Sequence, residues 1–226
     1  MSTETTGAAA APGIIDVQLA LGQMCLDRGG AAQAAEWFRI AARSGDARAI
    51  NMLGRCFERG WGVPADPAQA AACYRKAADR GDAWALFNLA DLHCRGEGVP
   101  ADDATAYQLY AAAARKGHAK ALNMLGLFHE VGRAVPADGA AARAFFQAAA
   151  EGGDCWGRFN HARMLTLDGK LEEALAWFRR ALDAGFPDFY RCMADALAGH
   201  PDPRLHALSR EAAARAQTSL AQSGDP

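Results

Sequence analysis

The chain has 226 residues, 51% of them hydrophobic, and a formal net charge of -2. That balance excludes a bulk-basic nucleic-acid binder, and no run of about 18 apolar residues marks a membrane span. Much of the apolar content is alanine, which favours helices and their close approach but buries little area per residue.

Residues 1–13, MSTETTGAAAAPG, carry no basic residue and no leucine or valine run. They read as a disordered tail without an export signal. The six cysteines, Cys25, Cys56, Cys73, Cys94, Cys155 and Cys192, form no CxxC pair. They read as small hydrophobes in a reducing cytoplasm. Arginine far outnumbers lysine, which with the alanine content suggests a GC-rich bacterial genome.

From residue 14 onward the chain repeats itself. A short first unit over 21–45 ends in EWFRIAARSG. Then LGRCFERGWGVP (53–64), LADLHCRGEGVP (89–100) and LGLFHEVGRAVP (125–136) recur at an offset of 36. Asp66, Asp102 and Asp138 keep that offset, as do Tyr74, Tyr110 and Phe146, and Gly81, Gly117 and Gly153. A short fifth unit (161–185) ends in AWFRRALDAG, with 32 residues from Gly153 to Gly185. A sixth, degenerate pair follows, marked by Phe189, Met193 and Leu197, then by Leu205, Leu208, Ala212 and Ala216. A period of this length is the signature of stacked supersecondary units.

Each unit parses as two helices. In the second, Asp46 caps helix A, ARAINMLGRCFER, and Gly60 ends it. Ala49, Leu53 and Phe57 fall four apart on one face, the expected core side. Asp66 caps helix B, Pro67 takes its first position, and Ala70, Tyr74 and Ala77 share a face. Gly81 closes helix B and Asp82 caps the next helix A. No segment alternates with period two.

The recurring LG..(F/H)..G.GVP.D…(Y/F)..AA..G pattern resembles the Sel-one-like repeats, relatives of tetratricopeptide repeats. Ala134 stands where the second linker glycine belongs, and His93 and His129 replace a helix A aromatic. The resemblance spans about 14–200. It implies an all-α, right-handed superhelical solenoid of about five helix pairs, closed by a C-terminal capping pair with a capping helix and short tail over 201–226. It also implies a concave groove lined by A helices that binds proteins.

The A-helix stripes away from the expected core are Arg48, Asn51, Arg55 and Arg59; Trp84, Phe87, Asp91 and Arg95; Lys120, Asn123, Leu127 and Val131; and Trp156, Phe159, Arg163 and Leu167. They hold six basic residues against one acid, with aromatics interleaved. Arginine and aromatics are favoured interface anchors, so a segment with acidic and apolar side chains suits this face. Asn51, Asn88, Asn123 and Asn160 are positioned to pair with a bound backbone, the work done by asparagines in tetratricopeptide grooves. For Trp84 and Trp156 the alternative is packing on the preceding helix B.

Catalytic patterns are missing. The Gly60-Trp61-Gly62 and Gly96-Glu97-Gly98 turns follow helices rather than strands, unlike phosphate loops. His93, His129 and His161 come without an HExxH motif and read as half-buried structural residues, not metal ligands. Cys94 and His93 are neighbours in sequence and point apart on a helix. Glu172 and Glu173 favour a helix dipole. The reading is a non-catalytic adaptor without cofactor, nucleic-acid partner or membrane insertion. The second reading is a chaperone or immunity protein for a toxin or secreted effector.

Overall fold

The computed structural model describes residues 13–223, which fall into two compact units, Met1–Asp102 and Asp103–Pro226. Residues 1–12 of the expected tail lie outside the described residues, and Gly13 is the N-cap of the first helix. The described residues are helical with no strand, and the fold is the expected helical-repeat solenoid.

The first unit holds α1 (Ile14–Asp27), α2 (Ala31–Ala42), α3 (Ala47–Arg59), α4 (Pro67–Ala78) and α5 (Ala83–Arg95). The second holds α6 (Asp103–Arg115), α7 (Ala119–Val131), α8 (Gly139–Glu151), α9 (Cys155–Leu167), α10 (Leu171–Asp183), α11 (Pro187–Ala198) and α12 (Pro203–Ser223). Odd-numbered helices are of the A type and even-numbered helices of the B type.

Helix ends follow the local chemistry. The Asp46 carboxylate accepts from the backbone N–H groups of Arg48 and Ala49, Asp66 from that of Gln69, and Asp82 from that of Ala85. Asp138 and Asp154 cap α8 and α9 in the same way. In α7 His118 stands in the aspartate position. Its Nδ1 accepts from the Ala121 N–H at 3.3 Å, and the ring is buried. Desolvation, reinforced by the Lys120 charge, lowers the imidazole pKa to about 4. The cap therefore requires the neutral ring.

The core is built on helix B aromatics. Phe38, Tyr74, Tyr110, Phe146 and Phe178 are all essentially inaccessible. In α1, α3 and α7 a glycine faces the ring of the paired helix B. A Cβ on Gly22 would stand 2.4 Å from Phe38, on Gly54 2.7 Å from Tyr74, and on Gly126 2.5 Å from Phe146. The expected A-helix core face is rotated: Ala49 is buried, but Leu53 and Phe57 are only half-buried. Ile50, Gly54 and Cys56 are buried instead. α3 packs on α2 as well as on α4, so small residues occupy its lines of closest approach and long side chains are displaced beside them. The terminal pair agrees with expectation, with Phe189, Met193, Leu197, Leu205, Leu208, Ala212 and Ala216 all buried.

The linkers lean back on the preceding helix B. A Cβ on Gly62 would lie 2.3 Å from the Ala31 carbonyl oxygen, and one on Gly98 2.2 Å from that of Pro67. Both glycines have φ +68. Ala134, in the same place, has φ 59 and is the non-glycine residue with positive φ among the described residues. An L-residue there pays about 1–2 kcal/mol of Cβ–carbonyl crowding.

Two expectations follow. Ala134→Gly should raise the unfolding free energy by about 1 kcal/mol in urea titrations, while Gly98→Ala should lower it by more, since strain adds to backbone collision. An unstable Ala134→Gly variant would contradict the strain account. The second concerns pH. The unfolded chain protonates His118 near the ordinary 6.5, whereas the folded chain resists until about 4. Proton uptake therefore favours unfolding as pH falls through this window, by about 2 kcal/mol at pH 5. His118→Asn, which keeps a capping acceptor but does not titrate, should lose correspondingly less stability between pH 7.5 and pH 5; equal losses would remove His118 as the cause.

Candidate protein-binding surface

In the first unit the candidate residues separate into buried and exposed sets. Asn51 is 6% exposed and accepts at Oδ1 from the Asn88 Nδ2 at 3.0 Å. This amide pair ties α3 to α5 and commits the Asn51 Oδ1 to the scaffold. Arg48 is exposed and bridges Asp46 and Asp16 at 2.9 and 2.8 Å. Arg55 is half-buried with its guanidinium 5.0 Å over the Trp61 ring. Asp91 is half-buried.

Glu58 organises the C-terminal ends of α3 and α5. Its carboxylate accepts from the Tyr74 hydroxyl at 2.5 Å and from Arg95 Nη2 at 2.7 Å. Arg95 also reaches Glu97 at 2.9 Å. Arg59, exposed, joins these groups around a depression of about 320 Å³. Trp84 remains 50% exposed, with Phe87 edge-on at 6.3 Å.

The second unit repeats the plan with different chemistry. Asn123 and Asn160 are both buried, and Asn160 Nδ2 donates to Asn123 Oδ1 at 2.8 Å. Arg163 forks onto Glu130 with two bonds of 2.7 Å and lies 5.9 Å from the Phe146 ring. Phe159 is 8% exposed and packs on Phe178 and Phe189 at 5.5 and 6.1 Å. Trp156 turns onto Phe189 at 4.8 Å, forward rather than onto the preceding helix B. Both aromatics thus belong to the core of α9–α12, where α11 and its Phe189 supply the packing. Lys120 is exposed and Leu127 half-buried, while Val131 and Leu167 are 70% and 69% exposed.

Of the six basic residues in the stripe, Arg48, Arg95 and Arg163 are thus paired with carboxylates. Asp16, Glu58, Glu97 and Glu130 are the acids that the stripe reading leaves out. Glu58 and Glu130 occupy one repeat position, two periods apart and adjacent to the stripe, which is the sequence feature that points to them. The accessible remainder in the first unit is Arg48, Arg59, Trp84, Phe87 and Arg95; in the second it is Lys120, Leu127, Val131, Arg163 and Leu167.

His93, His129 and His161 each contact a neighbouring group of the fold. His93 Nδ1 lies 3.2 Å from the Pro100 carbonyl oxygen, His129 stacks on Phe145 at 5.3 Å with its Nε2 3.0 Å from the Tyr107 hydroxyl, and His161 meets Trp177 edge-on. Among the described residues no group of three or more His, Cys, Asp or Glu is arranged to hold a metal. All six cysteines are free, and burial pushes the Cys56 thiol up to about 11 and raises those of Cys73 and Cys155, which makes them poor nucleophiles. No helix among the described residues is long and apolar enough to cross a membrane.

The Glu58 network is open to a double-mutant cycle. Glu58→Ala leaves the buried Tyr74 hydroxyl without its acceptor and should cost about 2 kcal/mol. Adding Tyr74→Phe removes the orphaned group and should restore about half of that loss. Strictly additive losses in chemical denaturation would show that the hydroxyl and carboxylate do not act as a pair.

A Sel1 repeat model matches residues 15–46, 47–82, 85–118, 119–154 and 168–186. The chain is similar to a Sel1 repeat protein from Oxalobacter formigenes, with 25% identity, a TM-score of 0.72, and 92% of this chain and 86% of that one covered. It is also similar to a protective antigen of uropathogenic Escherichia coli displaying an SLR fold, with 25% identity, a TM-score of 0.66 and 94% of this chain covered. The match takes in 50% of the antigen, so this chain spans half of its length. An immunity protein from Pseudomonas aeruginosa, at 15% identity, shares the fold with a TM-score of 0.64 over 94% of this chain and 84% of its own. No curated protein matches the sequence. With matched segments running from α1 through α10, and with the glycine, aromatic and aspartate positions recurring in the structure as they do in the sequence, the chain belongs to the Sel1 repeat family.

Proposed function

We propose that this protein is a non-catalytic scaffold whose A-helix face binds a segment or domain of another protein. The observation that carries the reading is the Trp84–Phe87 pair. A tryptophan 50% exposed on an otherwise well-packed helix, with Arg59 and Arg95 on the same face, has the composition of an interface anchor. The repeat frame holds this face rigid, so ordering cost falls on the partner.

The pairing of Arg48, Arg95 and Arg163 with carboxylates revises the partner's chemistry. A purely acidic ligand would have to displace an existing partner at each of these three. The face suits a segment with an apolar anchor and both signs of charge. Six free thiols support a reducing, cytoplasmic site of action. The second reading, a dedicated chaperone or neutraliser of a toxin or secreted effector, is supported by the fold shared with an immunity protein from Pseudomonas aeruginosa.

A photo-crosslinking amino acid at position 84 should capture a discrete partner from native extract, while the same group at Gln69, exposed on α4, should not. In pull-downs, Trp84→Ala combined with Arg59→Glu should weaken capture about tenfold, or about 1.4 kcal/mol. Undiminished capture by the double variant would refute the assignment of this face. A partner encoded beside this protein that is a toxin or effector would select the second reading.

A further inference from the structure

The first unit carries a second depression, of about 260 Å³, bounded by α2, α3 and α4. Its lining includes Ile50, only 2% exposed, with half-buried Leu53 and Cys73. Arg39 and Arg43 of α2 and Lys76 of α4 contribute the charge. Burial raises the Cys73 pKa despite nearby Lys76, so the thiol is neutral and extends the apolar floor.

The cations here differ from those on the A-helix face. Arg39 donates to Glu36 at 2.5 Å, an exposed pair of the weakly stabilising kind. Among the described residues no carboxylate pairs with Arg43 or Lys76. A depression in the second unit, about 270 Å³, has a smaller excess, because Asp168 holds Arg143 at 2.9 Å and leaves Lys170. Arg43 and Lys76 thus leave uncompensated positive charge around an apolar floor, at the end of α2 and on α4, helices that the proposed A-helix interface does not use for its anchor.

We infer that the α2–α3–α4 depression is a second docking site, for an acidic protein segment that inserts one aliphatic side chain. The volume is below the usual range of about 300–1,000 Å³ for drug-sized ligands, which suits a single side chain. Ile50, Leu53 and Cys73 receive that side chain, and flanking carboxylates meet Arg43 and Lys76, with Arg39 joining when it leaves Glu36. An apolar floor gives no advantage to a polyanion such as nucleic acid, which binds through phosphate contacts alone. Charge complementarity with a buried apolar anchor is the arrangement that a short acidic motif satisfies.

The test uses the full chain, labelled with nitrogen-15, and the acetylated, amidated pentapeptide Asp-Glu-Leu-Glu-Asp. Saturable amide shifts at Arg43, Leu53, Cys73 and Lys76 are expected below about 1 mM peptide. Replacing the peptide leucine by serine should weaken binding about fivefold, and Arg43→Glu with Lys76→Glu about tenfold. Both protein changes are at exposed positions and should leave folding within about 0.5 kcal/mol of the parent. Trp84→Ala should leave this binding unchanged, which separates the site from the A-helix interface. Absence of shifts, indifference to the charge reversals, or indifference to the serine replacement would overturn the proposal. Displacement of the peptide by a tighter-binding oligothymidylate would reassign the site to polyanions.

Discussion

The close contact between a helix A glycine and a helix B ring is the constraint on which the rest depends. Gly22 against Phe38, Gly54 against Tyr74 and Gly126 against Phe146 leave no room for even a methyl group. A glycine in a helix interior costs about 1 kcal/mol relative to alanine. The ring packed into the vacated space compensates, because a buried aromatic brings more area than any other residue in these alanine-rich pairs. In the fifth repeat Ala162 replaces the glycine, and the core there is carried by Phe159 packed 5.5 Å from Phe178.

Close packing of each pair also sets neighbouring A helices side by side within a unit. Their facing polar residues then satisfy each other. Asn88 donates to Asn51, Asn160 to Asn123, Arg95 to Glu58 and Arg163 to Glu130. Buried amides without partners would cost about 1–3 kcal/mol each, so the asparagine pairs are required by burial itself.

Much of the fold is legible in the sequence because its determinants are local or periodic. The limits of α3, the aspartate caps, Pro67 at the start of α4 and the buried Tyr74 and Phe146 all follow from residues within a few positions or from the 36-residue offset. The surface is less legible for a matching reason. Arg163 is neutralised by Glu130 and Arg95 by Glu58, partners 33 and 37 residues away on another helix. Trp156 and Phe159 look like their counterparts Trp84 and Phe87, yet Phe189 covers them. Leu53 and Phe57 share a helical face but lie beside the contact lines, because α3 has neighbours on more than one side. His118 hides in plain view, since an imidazole does the capping that aspartate does for α3, α5 and α9.

The repeat thus separates two kinds of position. Where successive units agree, as at the paired asparagines, the aromatic rings and the capping aspartates, the shared residue is explained by packing or backbone satisfaction. Where they disagree, packing does not choose the residue. Position 59 and its equivalents read Arg59, Arg95, Val131 and Leu167, charged in the first unit and apolar in the second, with the last two about 70% exposed. The ring of helix B carries a hydroxyl in Tyr74 and none in Phe146, and the glutamate beside each answers differently, sharing itself between tyrosine and arginine in one unit and gripping arginine alone in the other. Exposed positions that packing does not fix are free to vary between repeats at little cost in stability. The two units therefore share one frame and differ in the surface chemistry carried on it.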